Sequence, residues 1–244
     1  MIAAGDLELE QVTIALPGQP PLVGGLSLTV EAGRIATLIG PSGSGKSSLL
    51  AWITGTLDPV FRTQGRVRVA GRDVTELPPE SRRIGILFQD DLLFPHMTVA
   101  ENLAFALPRS VAGRERRRAR VAEALAEAQL AGFAGRDPAT LSGGQRARVS
   151  VLRALLAEPQ ALLLDEPFAK LDSGLRGRFR GFVFDHVRRR ALPTLMVSHD
   201  PADAAAAGGP VVTIGSERAT ADQTFASEAG WTDLAVPAGD RSHR

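Results

Sequence analysis

The chain contains no cysteine and no tyrosine. Without cysteine there can be no disulfide and no thiolate zinc site, which suits a reducing compartment. No apolar run approaches the roughly 20 residues a helix needs to span a bilayer, so any role at a membrane requires another subunit to cross it. The opening Met1-Ile2-Ala3-Ala4-Gly5-Asp6 has neither a basic nor an apolar leader region, which argues against secretion. A formal net charge of +1 gives no polyelectrolyte argument for nucleic acid or an anionic membrane. Lysine is scarce as well: of 28 Lys+Arg, only Lys46 and Lys170 are lysine. What remains is ordinary for a globular protein, with 44% hydrophobic and 23% charged residues. A length of 244 residues suffices for one α/β domain, or for one core with a smaller subdomain.

One of the two lysines sits in the stretch that organises the chain, Gly40-Pro41-Ser42-Gly43-Ser44-Gly45-Lys46-Ser47. It follows the apolar run Arg34–Ile39 and opens into Ser48-Leu49-Leu50-Ala51-Trp52-Ile53, which reads as a helix. Strand, glycine-rich turn and helix form the context that a phosphate-binding loop requires. Glycines let consecutive N–H groups converge into a nest for phosphate oxygens, and the helix adds the positive end of its dipole. Lys46 is placed to hold the β- and γ-phosphates and the Ser47 hydroxyl to ligate Mg²⁺. A compact ammonium fits such a loop where a planar guanidinium would not.

Before this loop, Leu7–Ile14 alternates as a half-buried strand, and Leu26–Val30 reads as a second. After it come a short strand over Gly65–Gly71 and a buried strand over Ile84–Phe88 that ends on Gln89. From about residue 91 to 157 the periodicity is helical, with Val99–Leu107, Ala119–Leu130 and Gly143–Ala157 as helices of an inserted subdomain. The cluster Arg114–Arg120 lies there and reads as a solvated helix face rather than a nucleic-acid site. Ala161–Leu164 is an apolar strand ending in Asp165 and Glu166, Leu171–Arg190 a long helix, and Thr194–Ser198 a buried strand ending at His199-Asp200. Beyond Val211–Ile214 the pattern fades into a tail, 216–244, with Phe225 and Trp231 as its only anchors.

An acid closing a buried strand is costly unless a cation answers it. Bound Mg²⁺ would answer Asp165, leaving Glu166 to orient and deprotonate a water. His199 ends another strand, and parallel strands bring their carboxyl ends to one edge. Leu141-Ser142-Gly143-Gly144-Gln145 forms a second anion-binding element, an N-capped helix start with exposed N–H groups. Two half-sites in one chain suggest that each protomer completes the other's site.

These motifs, in this order over about residues 6–214, resemble the ATP-binding cassette ATPases of ABC transporters. The resemblance implies a P-loop α/β core with a mixed sheet (about 1–90 and 158–215) and an inserted helical subdomain (about 91–157), forming a single cassette. It makes Gly40, Pro41, Ser42, Gly43, Ser44, Gly45, Lys46, Ser47 and Ser48 the Walker A motif and its flank, and Ser142, Gly143, Gly144 and Gln145 the signature motif. It makes Glu166 the catalytic base, His199 the switch histidine, Gln89 the Q-loop glutamine, and Leu171-Asp172 the D-loop. Metal ligation falls to Ser47, Gln89 and Asp165. The cofactors implied are ATP and Mg²⁺. The partners implied are a second copy sandwiching two ATP molecules, integral-membrane permease subunits and, indirectly, an external solute-binding protein, with no nucleic acid. The segment Phe88–Asn102 looks like that of bacterial small-solute importers, which implies a peripheral position on the cytoplasmic face of the inner membrane.

Three departures accompany the resemblance. Ala169 stands where the D-loop commonly has serine. The chain ends early, leaving no room for an appended regulatory β-domain. Ile14-Ala15-Leu16 offers no aromatic ring where the family usually stacks adenine. A soluble ABC ATPase acting on DNA or ribosomes is the rival from another class, but it would need a coiled-coil insertion or a second cassette. A scaffold that binds ATP without hydrolysing it is the weakest reading, since Lys46, Gln89, Asp165, Glu166 and His199 are all present. The missing ring leads to the expectation that GTP and ATP turn over at comparable rates. Strong ATP selectivity in a phosphate-release assay would show that another residue stacks on the base.

Overall fold

The computed structural model describes residues 5–169, 171 and 173–215. The tail 216–244, with Phe225 and Trp231, lies outside them, as do Lys170 and Asp172 of the expected D-loop. Two sheets are present among the described residues. Strands β1 (Leu7–Ala15), β2 (Val23–Val30), β4 (Arg62–Val69) and β5 (Arg72–Asp73) form an antiparallel sheet in the order β2-β1-β4-β5. Strands β3 (Ile35–Ile39), β6 (Ile84–Leu87), β7 (Ala161–Asp165), β8 (Thr194–Val197) and β9 (Val211–Thr213) form a parallel sheet in the order β6-β7-β8-β3-β9. Helix α1 (Lys46–Thr54) lies between the sheets, and α2 (Pro79–Arg82), α3 (Val99–Ala106), α4 (Arg114–Glu127), α5 (Gly143–Leu156), α6 (Ser173–Arg189) and α7 (Pro201–Ala207) complete the set.

Period-two alternation decides which core each strand serves. Ala36 and Leu38, Leu163, and Leu195 and Val197 face α1 and the antiparallel sheet, where they meet Leu49, Leu50, Trp52 and Ile53. Ile35, Leu162, Leu164 and Met196 point the other way, onto Val151 and Leu155 of α5 and Phe179, Val183 and Val187 of α6. Because both faces are covered, β3, β7 and β8 are mostly apolar rather than alternating, with Thr37 and Thr194 buried among the apolar residues. A third cluster joins α3, α4 and α5 through Val99, Leu103, Val121, Leu125, Val149, Leu152 and Leu156. Helix α5 therefore serves two cores: Ala147, Val151 and Leu155 face the sheet, while Val149, Leu152 and Leu156 face the other helices.

The structure corrects two details of the sequence reading. The strand expected to be buried over Ile84–Phe88 is the edge strand β6, only half-buried over Ile84–Ile86, with Phe88 43% exposed. Helix α4 begins at Arg114 rather than Ala119, so the arginines read as a solvated helix face form its opening turns, being good helix formers. Helices α2 and α7 are further elements that periodicity alone did not reveal.

Arg82 ties the phosphate-loop helix to the antiparallel half. Its buried guanidinium donates to Trp52 O at 2.8 Å and Ile53 O at 3.0 Å, carbonyls at the C-terminal end of α1. It also donates to Leu77 O at 2.7 Å and Thr75 O at 2.5 Å. A cation here satisfies the otherwise unpaired Ile53 carbonyl, adds to the Gly55 N–H at Trp52 O and opposes the negative end of the helix dipole. Arg82→Met should cost about 3 kcal/mol, since hydrogen bonds to charged groups are worth roughly 1.5–3 kcal/mol and the acceptors stay buried. For a chain of this size that is a fall in Tm of roughly 6–12 °C. A Tm within about 2 °C of wild type by calorimetry would mean that water replaces the guanidinium at these carbonyls.

Candidate active site

Register brings the chemistry together. Leu38 pairs with Val197, and Val197 with Asp165, so three strands end level with one another. Beyond those ends run the loop from Gly40, the turn to Glu166 and the turn to His199. On the far side of β7, Leu87 pairs with Leu164, which sends Gln89 off the same edge. Gln89 itself is exposed.

The loop over Gly40–Ser47 is built by close approach. A Cβ at Gly40 would stand 2.5 Å from Ile214 O and 2.8 Å from Ser44 Oγ. Gly45 N-caps α1 at φ 89, a left-handed conformation, and sits against Leu22 and Val23. Lys46 Nζ donates to Gly40 O at 2.8 Å and Pro41 O at 2.7 Å. Ser44 Oγ is buried without a hydrogen-bond partner, while Ser42, Gly43 and Ser47 are exposed.

Glu166 follows Asp165 in the left-handed region, at φ 46, which is uncommon for a residue with a side chain. Its N–H donates to Val197 O at 3.0 Å, so the reversal is pinned to the neighbouring strand. The turn sets Glu166 Oε2 3.3 Å from His199 Nδ1. Burial first, and then the Glu166 carboxylate, hold the Asp165 carboxyl above its ordinary range, and Lys46 draws it partly back. An acid in that state has room for another positive partner.

The residues fit a magnesium nucleotide. The loop offers N–H groups at a helix N-terminus, the Lys46 ammonium and an orphan Ser44 hydroxyl to a polyphosphate. Ser47, Asp165 and Gln89 are all hard oxygen donors. Among the described residues no cluster of three or more acidic or histidine side chains could cage a metal.

Ser142, Gly143, Gly144 and Gln145 stand apart from this cluster. Ser142 N-caps α5 in a capping box: the Gln145 N–H donates to Ser142 Oγ at 3.3 Å, and the Ser142 N–H to Gln145 Oε1 at 2.9 Å. Gly144 lies against Leu175 of α6, where a Cβ would meet a methyl at 2.3 Å. Ser142 and Gly143 are exposed, so the motif is presented outward.

Comparison with known proteins places this arrangement. The family described as ABC transporter matches residues 23–169. The uncharacterized ABC transporter ATP-binding protein YnjD of Escherichia coli (strain K12) is 49% identical over 195 residues, covering 80% of this chain and 89% of YnjD. The chain belongs to the ABC transporter ATPase family. As an ABC ATPase it is an ATP-binding, ATP-hydrolysing cassette with a P-loop core. The Fe(3+) ions import ATP-binding protein FbpC of Brucella abortus (strain 2308) is 41% identical over 213 residues, 87% of this chain. The chain spans only 59% of that relative's length. A solved dimeric structure of the ATP-binding cassette MJ0796, in a post-hydrolysis state bound to ADP and Pi, superposes with a TM-score of 0.71 at 30% identity. That match covers 85% of this chain and 94% of the other.

Sequence reasoning missed the polar groups beside His199, namely Arg176, Arg180 and Asp203. One local signal was available: Asp200-Pro201 at the start and Gly208 at the end mark α7 as a capped helix. For this ABC ATPase, Gly40→Ala should weaken ATP binding about tenfold or more, because overpacking against Ile214 O costs roughly 1–3 kcal/mol and displaces the loop. Titration with a fluorescent ATP analogue measures it; an unchanged Kd would show that the loop shifts at no cost to binding.

Proposed function

We propose that this cassette is the ATP-hydrolysing subunit of a bacterial ABC importer, and that ATP-driven closure of a dimer moves a membrane permease. The observation that carries the chemistry is the Glu166–His199 contact, 3.3 Å, at the sheet edge that also bears Asp165 and the phosphate loop. In this reading the loop N–H groups and Lys46 hold the β- and γ-phosphates. Ser47, Gln89 and Asp165 hold Mg²⁺, which when bound neutralises charge between the phosphates. Glu166 takes the proton of a water as the water oxygen bonds to the γ-phosphorus. The bond from that phosphorus to the bridging oxygen breaks, releasing ADP and phosphate. His199 keeps the carboxylate and the water in register.

The partners follow from surfaces and relatives. The outward-facing Ser142 and Gly143 are suited to reach a nucleotide on a second copy, and the MJ0796 cassette is dimeric. A groove is lined by His96, Met97, Glu101, Ala104, Phe105 and Arg117, with Phe105 65% exposed. An apolar groove rimmed by charge suits a short element of a permease. No helix among the described residues is long and apolar enough to cross a membrane, so the permease would supply the passage and the cassette would sit peripherally on its cytoplasmic side. The import direction is supported by the FbpC relatives. The DNA or ribosome alternative gains little from the arginine cluster: Arg117 turns inward to Val111 O and Ala104 O, and Arg120 pairs with Glu123 at 3.1 Å.

Glu166→Gln should leave ATP binding intact, lower turnover by about 100-fold or more and accumulate an ATP-dependent dimer on size exclusion. Near wild-type turnover in that variant would remove Glu166 as the base. A mild-detergent pull-down from native membranes should bring a multi-span permease with the cassette; recovery of ribosomes or DNA without one would favour the alternative.

A further inference from the structure

His199 is 68% exposed and its side chain contacts Glu166 through Nδ1, so its position depends on what fixes its backbone. Both chain neighbours of His199 belong to one polar ring. Arg176 Nη1 donates to Asp200 Oδ2 at 2.6 Å, and the Asp200 N–H donates to Ser198 Oγ at 3.1 Å. Ser198 Oγ donates to Asp203 Oδ2 at 2.8 Å, and Arg180 Nη1 donates to Asp203 Oδ1 at 3.0 Å. Arg176 and Arg180 are four residues apart on α6 and share one face, so the helix closes the ring. The members are shielded: side-chain exposure is 30% and 27% for Arg176 and Asp200, and 22% and 5% for Arg180 and Asp203. The ring is therefore less screened than a surface pair.

Two more bonds extend it. Asp200 Oδ1 accepts the Ala202 N–H at 2.8 Å as the N-cap of α7, and Arg176 Nη2 donates to Leu171 O at 3.3 Å, in the segment that leaves the active site after Phe168. The Ala202 amide, with Arg176 in support, holds the Asp200 carboxyl below its ordinary range, so it stays charged for the ring. Nothing in the hydrolysis chemistry described above uses Arg176, Arg180, Asp200 or Asp203.

We infer that Arg176 and Arg180 are positioning residues for hydrolysis: through Asp200, Ser198 and Asp203 they fix the turn that aims His199 at Glu166. Arg176, bonded also to Leu171 O, ties that turn to the segment on the other side of the catalytic carboxylates. The inference rests on the role proposed for His199, and the test separates the two.

The experiment is single-turnover ATP hydrolysis with enzyme in excess, together with steady-state kcat and KM, for wild type, Arg176→Met, Arg176→Lys, Arg180→Met, His199→Ala and the double variant R176M/H199A. Arg176→Met should lower kcat about tenfold with KM for ATP within about twofold, as loss of transition-state alignment without loss of ground-state binding. Arg176→Lys keeps charge and length but not the fork, and should recover part of the rate. Arg180→Met should behave as a weaker Arg176→Met. In the His199→Ala background, Arg176→Met should cost nothing further, because the ring acts through His199. A slow His199→Ala enzyme that Arg176→Met slows tenfold again would overturn the inference alone, as would a raised KM at unchanged kcat. A His199→Ala enzyme at wild-type rate would overturn the role of His199 itself, and the inference with it.

Discussion

Parallel pairing of β7 with β8 and of β8 with β3 sets how the phosphate loop, Asp165, Glu166 and His199 stand relative to one another. Asp165, Val197 and Leu38 are level because each hydrogen-bonds its neighbour in register. A one-residue slip in either pairing would turn Leu163 or Leu195 out of the core beneath α1. Apolar burial on both faces of the sheet thus enforces the spacing of polar groups at its edge. The phosphate loop, the carboxylates and His199 need no direct bonds across the whole site to be held together. They inherit their alignment from side chains buried in the two cores on either face of the sheet.

The same logic reaches Ser142, Gly143, Gly144 and Gln145 by a longer route. Helix α5, N-capped by Ser142, carries Ser150 and Arg153 further along. Ser150 Oγ donates to Asp91 O at 2.9 Å, and Arg153 Nη1 donates to Leu92 O at 2.7 Å. Arg146 reaches Asp91 Oδ2 at 3.5 Å. The stretch immediately after Gln89 is thereby strapped along the helix whose first turn displays Ser142 and Gly143. Since α5 also fills both the sheet-side core and the helical core, it cannot slide on one without disturbing the other.

How much of this was legible in the sequence depends on whether the determining partners are near one another in the chain. Strands β3, β7 and β8 are readable because burial on both faces leaves mostly apolar runs, and the loop before Lys46 is readable because close backbone approach demands glycine at Gly40. The capping box of Ser142 and Gln145 spans three positions and is equally local. By contrast, Arg176 meets Asp200 across 24 positions and Arg82 meets Trp52 across 30, and nothing beside either arginine marks it among so many others. The edge position of β6 also escaped, because Ile84–Leu87 carries the same residue types as a central strand and only pairing reveals its open side. The start of α4 is misplaced for another reason: the apolar period begins only at Ala119, although the arginines before it read as a helix face.

Lys46 spends two of the three hydrogens of its ammonium on the carbonyls of Gly40 and Pro41. It is therefore a strap across the neck of the loop as well as a charge inside it. Shortening this side chain removes more than a positive charge: it unties the carbonyls of Gly40 and Pro41 at the start of the loop. Any comparison of lysine variants at this position accordingly measures the shape of the loop and its charge in a single number.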